Sequence, residues 1–276
     1  MRWPAPRFLL LVLPGVFATV GTASGQTLPE GDASREYLIG ASLESSAGHI
    51  GDGKRSLSLR PVWYFQLGPV RVSRSRASTL LGTGRKSGET GLSADLLSRN
   101  DWRIGASLRW DNGRTFENDP VWRGLPDIRT TVRGRVSVRR PLGERWGWGA
   151  SLDQDLLGRD GGMRLNTGLN YTLPVSDRTR WDIGASMGWG NARYMDTHFG
   201  ISPTGAAAVN AAPYQPGGGM EGLQLSWNAS TALGEHWVMF GGIGVSRLLG
   251  DAARSPLVSR RFTTGVTFGL AYRDRR

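Results

Sequence analysis

Residues 131–140 read TVRGRVSVRR, so Arg133, Arg135 and Arg139 alternate with Val132, Gly134, Val136 and Val138. A period of two places the guanidiniums on one face of a β-strand and the valines on the other. Arg103 and Arg109 in WRIGASLRWD (102–111), and Arg164 in MRLNTGLNYT (163–172), fall on the same polar parity. A planar guanidinium fork suits carboxylate and phosphate, so the chemistry on offer is anion binding. If the valine face meets lipid, an arginine on that side costs ~2–4 kcal/mol near the midplane. All six arginines are therefore expected to face inward. There they form an anion-attracting lumen or a basic bed for a plug, or they fill the interior by pairing with Asp153, Asp155 and Asp182. The filled interior is the favoured reading, because inward side chains and a folded loop can occupy much of a barrel this size.

Covalent and metal chemistry find less support. His198, Ser202 and Asp196 share one long segment, but no spacing there forces a nucleophile–base contact. The other two histidines, His49 and His236, sit in a loop and beside a turn, and His-x-x-x-His spacing is missing. Asp111, Glu117, Asp119 and Asp127 could draw Ca²⁺, yet a hydrated surface is the simpler expectation. The chain is expected to be no enzyme and to need neither cofactor nor metal.

The elements that must position these groups are strands. WRIGASLRW at 102–110 and WDIGASMGW at 181–189 each place Trp at both ends of an apolar face. Eight steps of about 3.3 Å, tilted by roughly 40°, project to ~20 Å, close to the lipid band between two aromatic girdles. The same alternation places strands near 36–45, 56–68, 70–78, 89–98, 102–111, 130–140, 146–156, 163–173, 180–190, 221–233, 236–248 and 262–272. Short connections (Gly68-Pro69, Arg99–Asp101, PLGER, PVSDRT, Gly234-Glu235) alternate with long ones at 46–55, 79–88, 112–129, 157–162, 191–220 and 249–261. An even strand count with short periplasmic turns and long external loops predicts an all-β fold. It is a transmembrane antiparallel β-barrel of about 12 strands. Within 191–220, Ser202 as N-cap and Pro203 at the first helical position predict a helical turn or two. Tyr194, Phe199 and Tyr214 would anchor that loop as a plug; a mobile external binding loop is the competing account.

Arg2 and Arg7 precede an apolar run that ends in small residues, the form of a secretory signal cleaved near Gly25. The barrel domain is then 26–276. The formal charge of +11 is almost all arginine, since Lys54 and Lys86 are the only lysines, and there is no cysteine. Export sets nucleic acid aside as the target of that charge and leaves lipopolysaccharide phosphates and anionic wall polymers.

NARYMDTHFGISPTGAAA (191–208), YQPGGGMEGLQLS (214–226) and SRLLGDAARSPLV (246–258), with RGLPDIRTTV (123–132), resemble the MipA/OmpV family of outer-membrane proteins. The likeness runs from about 36 to 272. It implies an outer-membrane scaffold for murein synthesis and remodelling in a Gram-negative bacterium. The implied partners are a lytic transglycosylase and a penicillin-binding protein, with outer-membrane lipid and lipopolysaccharide around the barrel. The alternative from the arginine face is a narrow anion-preferring channel for small solutes. Two positions depart from the family: Arg273-Asp274-Arg275-Arg276 follow Tyr272 where the family ends on an aromatic residue, and Arg254 precedes Ser255-Pro256 where it has an acidic or small one.

Overall fold

A computed structural model describes residues 36–47, 55–67, 70–74 and 91–275 apart from Asn118. The signal sequence, Gly25, His49, the loops at 48–54 and 75–90 and the Gly68-Pro69 turn lie outside the described residues.

Twelve antiparallel strands close into one barrel in sequence order, the last pairing with the first. They are β1 (Glu36–Ala47), β2 (Arg55–Leu67), β3 (Val70–Arg74), β4 (Gly91–Arg99), β5 (Trp102–Asp111) and β6 (Thr131–Pro141), then β7 (Trp146–Asp155), β8 (Met163–Pro174), β9 (Thr179–Gly190), β10 (Gly219–Ala232), β11 (Trp237–Leu248) and β12 (Phe262–Arg275). The described strands follow one another around a closed ring, as a spanning β-structure requires because lipid supplies no hydrogen-bond partner. Strand β12 runs past Tyr272, and Arg273 and Asp274 pair with Leu38 and Tyr37. Residues 273–275 are thus an extension of the closing strand.

The burial pattern is the reverse of a soluble domain. Leu57, Leu59 and Trp110 are 74%, 72% and 69% exposed, while Ser73, Ser93, Ser107, Ser137 and Asp153 are buried. Apolar atoms on the outside and polar ones inside suit a chain whose external solvent is hydrocarbon. Aromatic rings gather at the short-turn end: Trp102 against Trp148, Trp146 against Tyr171, Trp181 against Trp227, and Tyr272 among Tyr37, His236 and Trp237. His236 is thereby exposed but stacked, 5.2 Å from the Tyr272 ring.

The short turns share one construction. Leu142, Val175 and Leu233 each donate their N–H to the carbonyl four residues on, at Trp146, Thr179 and Trp237 (2.8–2.9 Å). In the same turns the carbonyls of Arg145, Arg178 and His236 accept from the next hairpin, at Thr172, Ala232 and Arg273. The β4–β5 turn is tighter, with Asn100 at φ 47° and Asp101 at φ 66°. Two successive left-handed residues match the strand twist, and Asn and Asp tolerate that region.

At the opposite end the long loops carry three helices: α1 (Ala192–Phe199), α2 (Pro203–Ala208) and α3 (Gly250–Arg254). Helix α2 forms where Ser202-Pro203 predicted it, with the Ser202 hydroxyl accepting from the Gly205 N–H. Phe116, Leu125, Ile201, Ala206 and Leu257, from three different loops, pack into one apolar cluster there with Tyr214 at its margin.

Candidate functional site

Helix α1 begins as β9 ends. Asn191 caps it, its side-chain oxygen accepting from the Tyr194 N–H at 2.9 Å and from the Met163 N–H of β8 at 3.0 Å. A single side chain therefore starts the helix and ties it to the barrel wall. Two glycines make room: a Cβ on Gly190 would lie 2.3 Å from Tyr194 Cδ1, and one on Gly162 would lie 2.3 Å from the Tyr194 nitrogen. Gly162 also needs its φ of +58°. Tyr194, Met195 and Phe199 then bury against Leu248 and Ala252. The Thr197 hydroxyl donates to the Asp160 carbonyl and the Ser255 hydroxyl to the Phe199 carbonyl, both at 2.6 Å.

Inside the barrel beneath α1 lies a connected set of charges. Arg135 donates from Nε and Nη2 to both oxygens of Asp153 (2.7 and 3.0 Å). Arg109 reaches the same carboxylate only at 3.7 Å. Arg133 donates from Nε to Asp111 at 2.7 Å, and from Nη2 to the Gly161 carbonyl at 3.0 Å. Arg164 donates from Nε to Glu221 at 2.5 Å, and the other Glu221 oxygen accepts from the Tyr194 hydroxyl at 3.0 Å. The Tyr194 ring sits between two guanidiniums, with Arg133 and Arg164 at 5.5 and 6.0 Å from its centroid. Such cation–π contacts are strongest when shielded from water.

Glu221 reaches this position through a β-bulge. The β9–β10 register passes from Met220–Trp189 to Gly222–Gly188, leaving Glu221 as the extra residue. Plain alternation from Leu223 and Leu225 would aim it at lipid. The bulge turns it inward, where it is 2% exposed.

His198 completes the set from α1. Its Nε2 lies 3.2 Å from Arg133 Nη2. A guanidinium only donates, so Nε2 must be the unprotonated, accepting nitrogen and the ring is neutral. Burial first, and then the Arg133 charge, push the His198 pKa down to about 4. Burial likewise pushes the Tyr194 hydroxyl above its usual range.

Four of the six arginines singled out in the sequence, Arg109, Arg133, Arg135 and Arg164, meet in this cluster. Arg103 and Arg139 face each other across β5 and β6 nearer the turn end. Tyr194 and Phe199 bury with α1, whereas Tyr214 belongs to the loop cluster and donates its hydroxyl to the Asp251 carbonyl at 2.7 Å. Asp153 and Asp182 do take arginines, the latter Arg180 at 2.9 Å. Asp155 does not: it accepts from the Thr131 hydroxyl and from the N–H groups of Leu157, Arg159 and Gly161. It serves the tight β7–β8 connection, whose amides would otherwise be left without acceptors. Asp111 is an inward partner of Arg133, not a loop carboxylate. Sequence reasoning missed Glu221, and it weighed His198 only as a catalytic base beside Ser202, not as a partner of Arg133. The cue for His198 was helical spacing in Tyr194, Met195, His198 and Phe199 behind the Asn191 cap.

Of the other loop carboxylates, Asp127 accepts from the Phe116 N–H and Asp119 from those of Val121 and Trp122. Ser202 and His198 do not meet, since one caps α2 and the other faces Arg133. Gly184-Ala185-Ser186-Met187-Gly188 has the letters of a nucleophile elbow. It runs straight through β9, however, with Ser186 paired to Gly168 and Gln224, and lacks the sharp strand-to-helix turn that chemistry needs.

A closed antiparallel barrel with an apolar exterior and a charged interior defines an integral β-barrel of the outer membrane of Gram-negative bacteria. Residues 39–273 match the family described as MltA-interacting protein MipA. The chain belongs to that family. Among curated proteins none matches it significantly. Solved structures similar to it include an outer-membrane channel from Pseudomonas putida F1, at 14% identity over 91% of this chain and 100% of that one, with a TM-score of 0.42. OmpT of Vibrio cholerae matches at 8% identity over 90% and 100%, with a TM-score of 0.38. The KdgM porin matches at 10% over 87% and 98%, with a TM-score of 0.36.

Proposed function

We propose that this barrel is a scaffold whose lumen is plugged by the 191–218 loop and whose periplasmic rim seats a murein-processing enzyme. The family name points to a lytic transglycosylase as partner, with a penicillin-binding protein as the second member of the assembly. The observation that carries this reading is the burial of Tyr194, Met195 and Phe199 with α1 at the loop end. A lumen filled there leaves the turn end as the face with accessible chemistry. Outer-membrane lipid and lipopolysaccharide surround the apolar belt.

The turn end suits a docking role. Arg99, Arg140, Arg145 and Arg178 are exposed there, and Leu142, Val175 and Leu233 project one apolar side chain from each of three like-built turns. Apolar anchors ringed by arginine are the composition of an interface. Tyr171, whose hydroxyl accepts from Arg145 at 3.3 Å, raises the guanidinium pKa further, so Arg145 stays charged at any cellular pH.

Pull-down from detergent extracts at low salt should recover a lytic transglycosylase. Recovery should fall at least tenfold when Arg140, Arg145 and Arg178 are replaced by Gln, with the barrel still folded by heat-modifiable gel mobility. Equal recovery from wild type and the triple variant would remove the rim as the docking face. In planar bilayers the scaffold should be electrically silent. A steady anion-selective current that drops on Arg133→Gln and Arg135→Gln would put the channel reading in its place.

A further inference from the structure

Arg109, Asp111, Arg133, Asp153, Arg164, Tyr194 and His198 line a cavity of about 100 Å³ between the barrel wall and α1. The donors facing it are not balanced by acceptors. Arg133 is 7% exposed, its Nε is taken by Asp111 and its Nη2 by Gly161 and His198. Its third nitrogen, Nη1, is buried with no hydrogen-bond partner. The groups that hold this guanidinium, Asp111 and His198, are themselves cavity walls, and Arg164 closes the space beside them. Across the space, Arg109 has no carboxylate nearer than Asp153 at 3.7 Å, and Asp153 is already held on both oxygens by Arg135. Asp155, the next acid along β7, has its four donors elsewhere. A buried guanidinium nitrogen without an acceptor is costly, and a charged acceptor is the natural remedy.

We propose that this cavity binds one small oxyanion, a phosphate- or carboxylate-sized group held by Arg109 within the positive field of Arg133 and Arg164. The volume fits that class. It falls well short of the roughly 300–1,000 Å³ of a pocket for a larger organic ligand. Arg109 and Asp111 are 35% and 31% exposed, which leaves the cavity open to solvent on their side. The anion would bridge β5 and β6 beneath α1 and strengthen the seat of that helix. This site rests on the geometry of the mouth and stands whether or not the rim seats an enzyme.

The test is calorimetric titration of inorganic phosphate into the full-length mature chain, folded in a non-ionic detergent and a phosphate-free buffer. Saturable one-to-one binding is expected, competed by sulfate and weakened at least tenfold by Arg109→Gln. Arg109→Lys should restore part of the loss, since it keeps the charge and loses only the fork. Arg109 is partly exposed and makes no short ion pair, so its variants should fold; gel mobility checks this. Absence of saturable uptake, or uptake unchanged in Arg109→Gln, overturns the site. Competition by added lipopolysaccharide also overturns it, because it would assign the phosphate affinity to a lipid-facing surface.

Discussion

Glu221→Gln should destabilise the folded barrel by about 3–5 kcal/mol in denaturant titrations, the usual cost of leaving one charge of a buried pair alone. The carboxylate is 2% exposed and serves two groups at once, Arg164 in the wall and the Tyr194 hydroxyl in α1. Glutamine can still accept from Tyr194, but it leaves the Arg164 guanidinium without a counter-charge. The loop should also loosen, so a protease that spares the native chain should cut within 191–218. Pairing the change with Arg164→Met should recover most of the loss, because removing both charges removes the desolvation problem with them. A shift below about 0.5 kcal/mol in the single variant, the range of ordinary surface substitutions, would mean that Glu221 is not the joint between α1 and the barrel wall.

Acidification should release the same loop through His198. In the docked state the ring is neutral and accepts from Arg133, with a pKa of about 4, whereas the freed chain has the ordinary value near 6.5. Between those values the undocked state binds more protons. The contribution is therefore intact above pH 6.5 and is lost progressively as pH falls toward 4. A shift of this size corresponds to at most about 3.4 kcal/mol, and partial solvent access to the ring lowers the effect below that figure. Protonation would also set an N–H against the Arg133 N–H it now accepts from. The groups facing the ring are Arg133, Asp111, Arg164 and Arg114, with the Tyr194 ring 4.5 Å away. Hydrogen-exchange protection across 191–200, taken relative to the intrinsic rate at each pH, should fall between pH 7 and 5, a window above the range where ordinary carboxylates titrate. His198→Gln, which keeps an acceptor and cannot charge, should flatten that profile. Equal pH profiles for the two chains would show that another group governs docking.

Much of the architecture was legible because a membrane imposes a rule on every second residue. Trp102–Trp110 and Trp181–Trp189 marked strand length, Arg99–Asp101 marked a short turn, and Ser202-Pro203 marked the start of α2. Each is a local signal, written in residues next to one another. The inward parity of Arg109, Arg133, Arg135 and Arg164 followed from the same rule, since the opposite face is apolar.

What alternation could not convey is which inward charge meets which. Asp153 takes Arg135, and Asp155 turns instead to backbone amides of its own turn. Those choices depend on register across strands and on the shape of a loop, neither of which is written locally. Glu221 shows the limit best. By sequence it continues the lipid-facing parity of Leu223 and Leu225, and only the bulge against β9 swings it inside to Arg164 and Tyr194. His198 is similar, because its neighbour Arg133 comes from a strand 65 positions earlier. The sequence by itself determined the barrel, the number of its strands and which face is wet, since lipid and water sort side chains one residue at a time. The tertiary structure alone decided the charge network and the seat of α1, because those need barrel closure to bring β6, β8 and β10 around one helix.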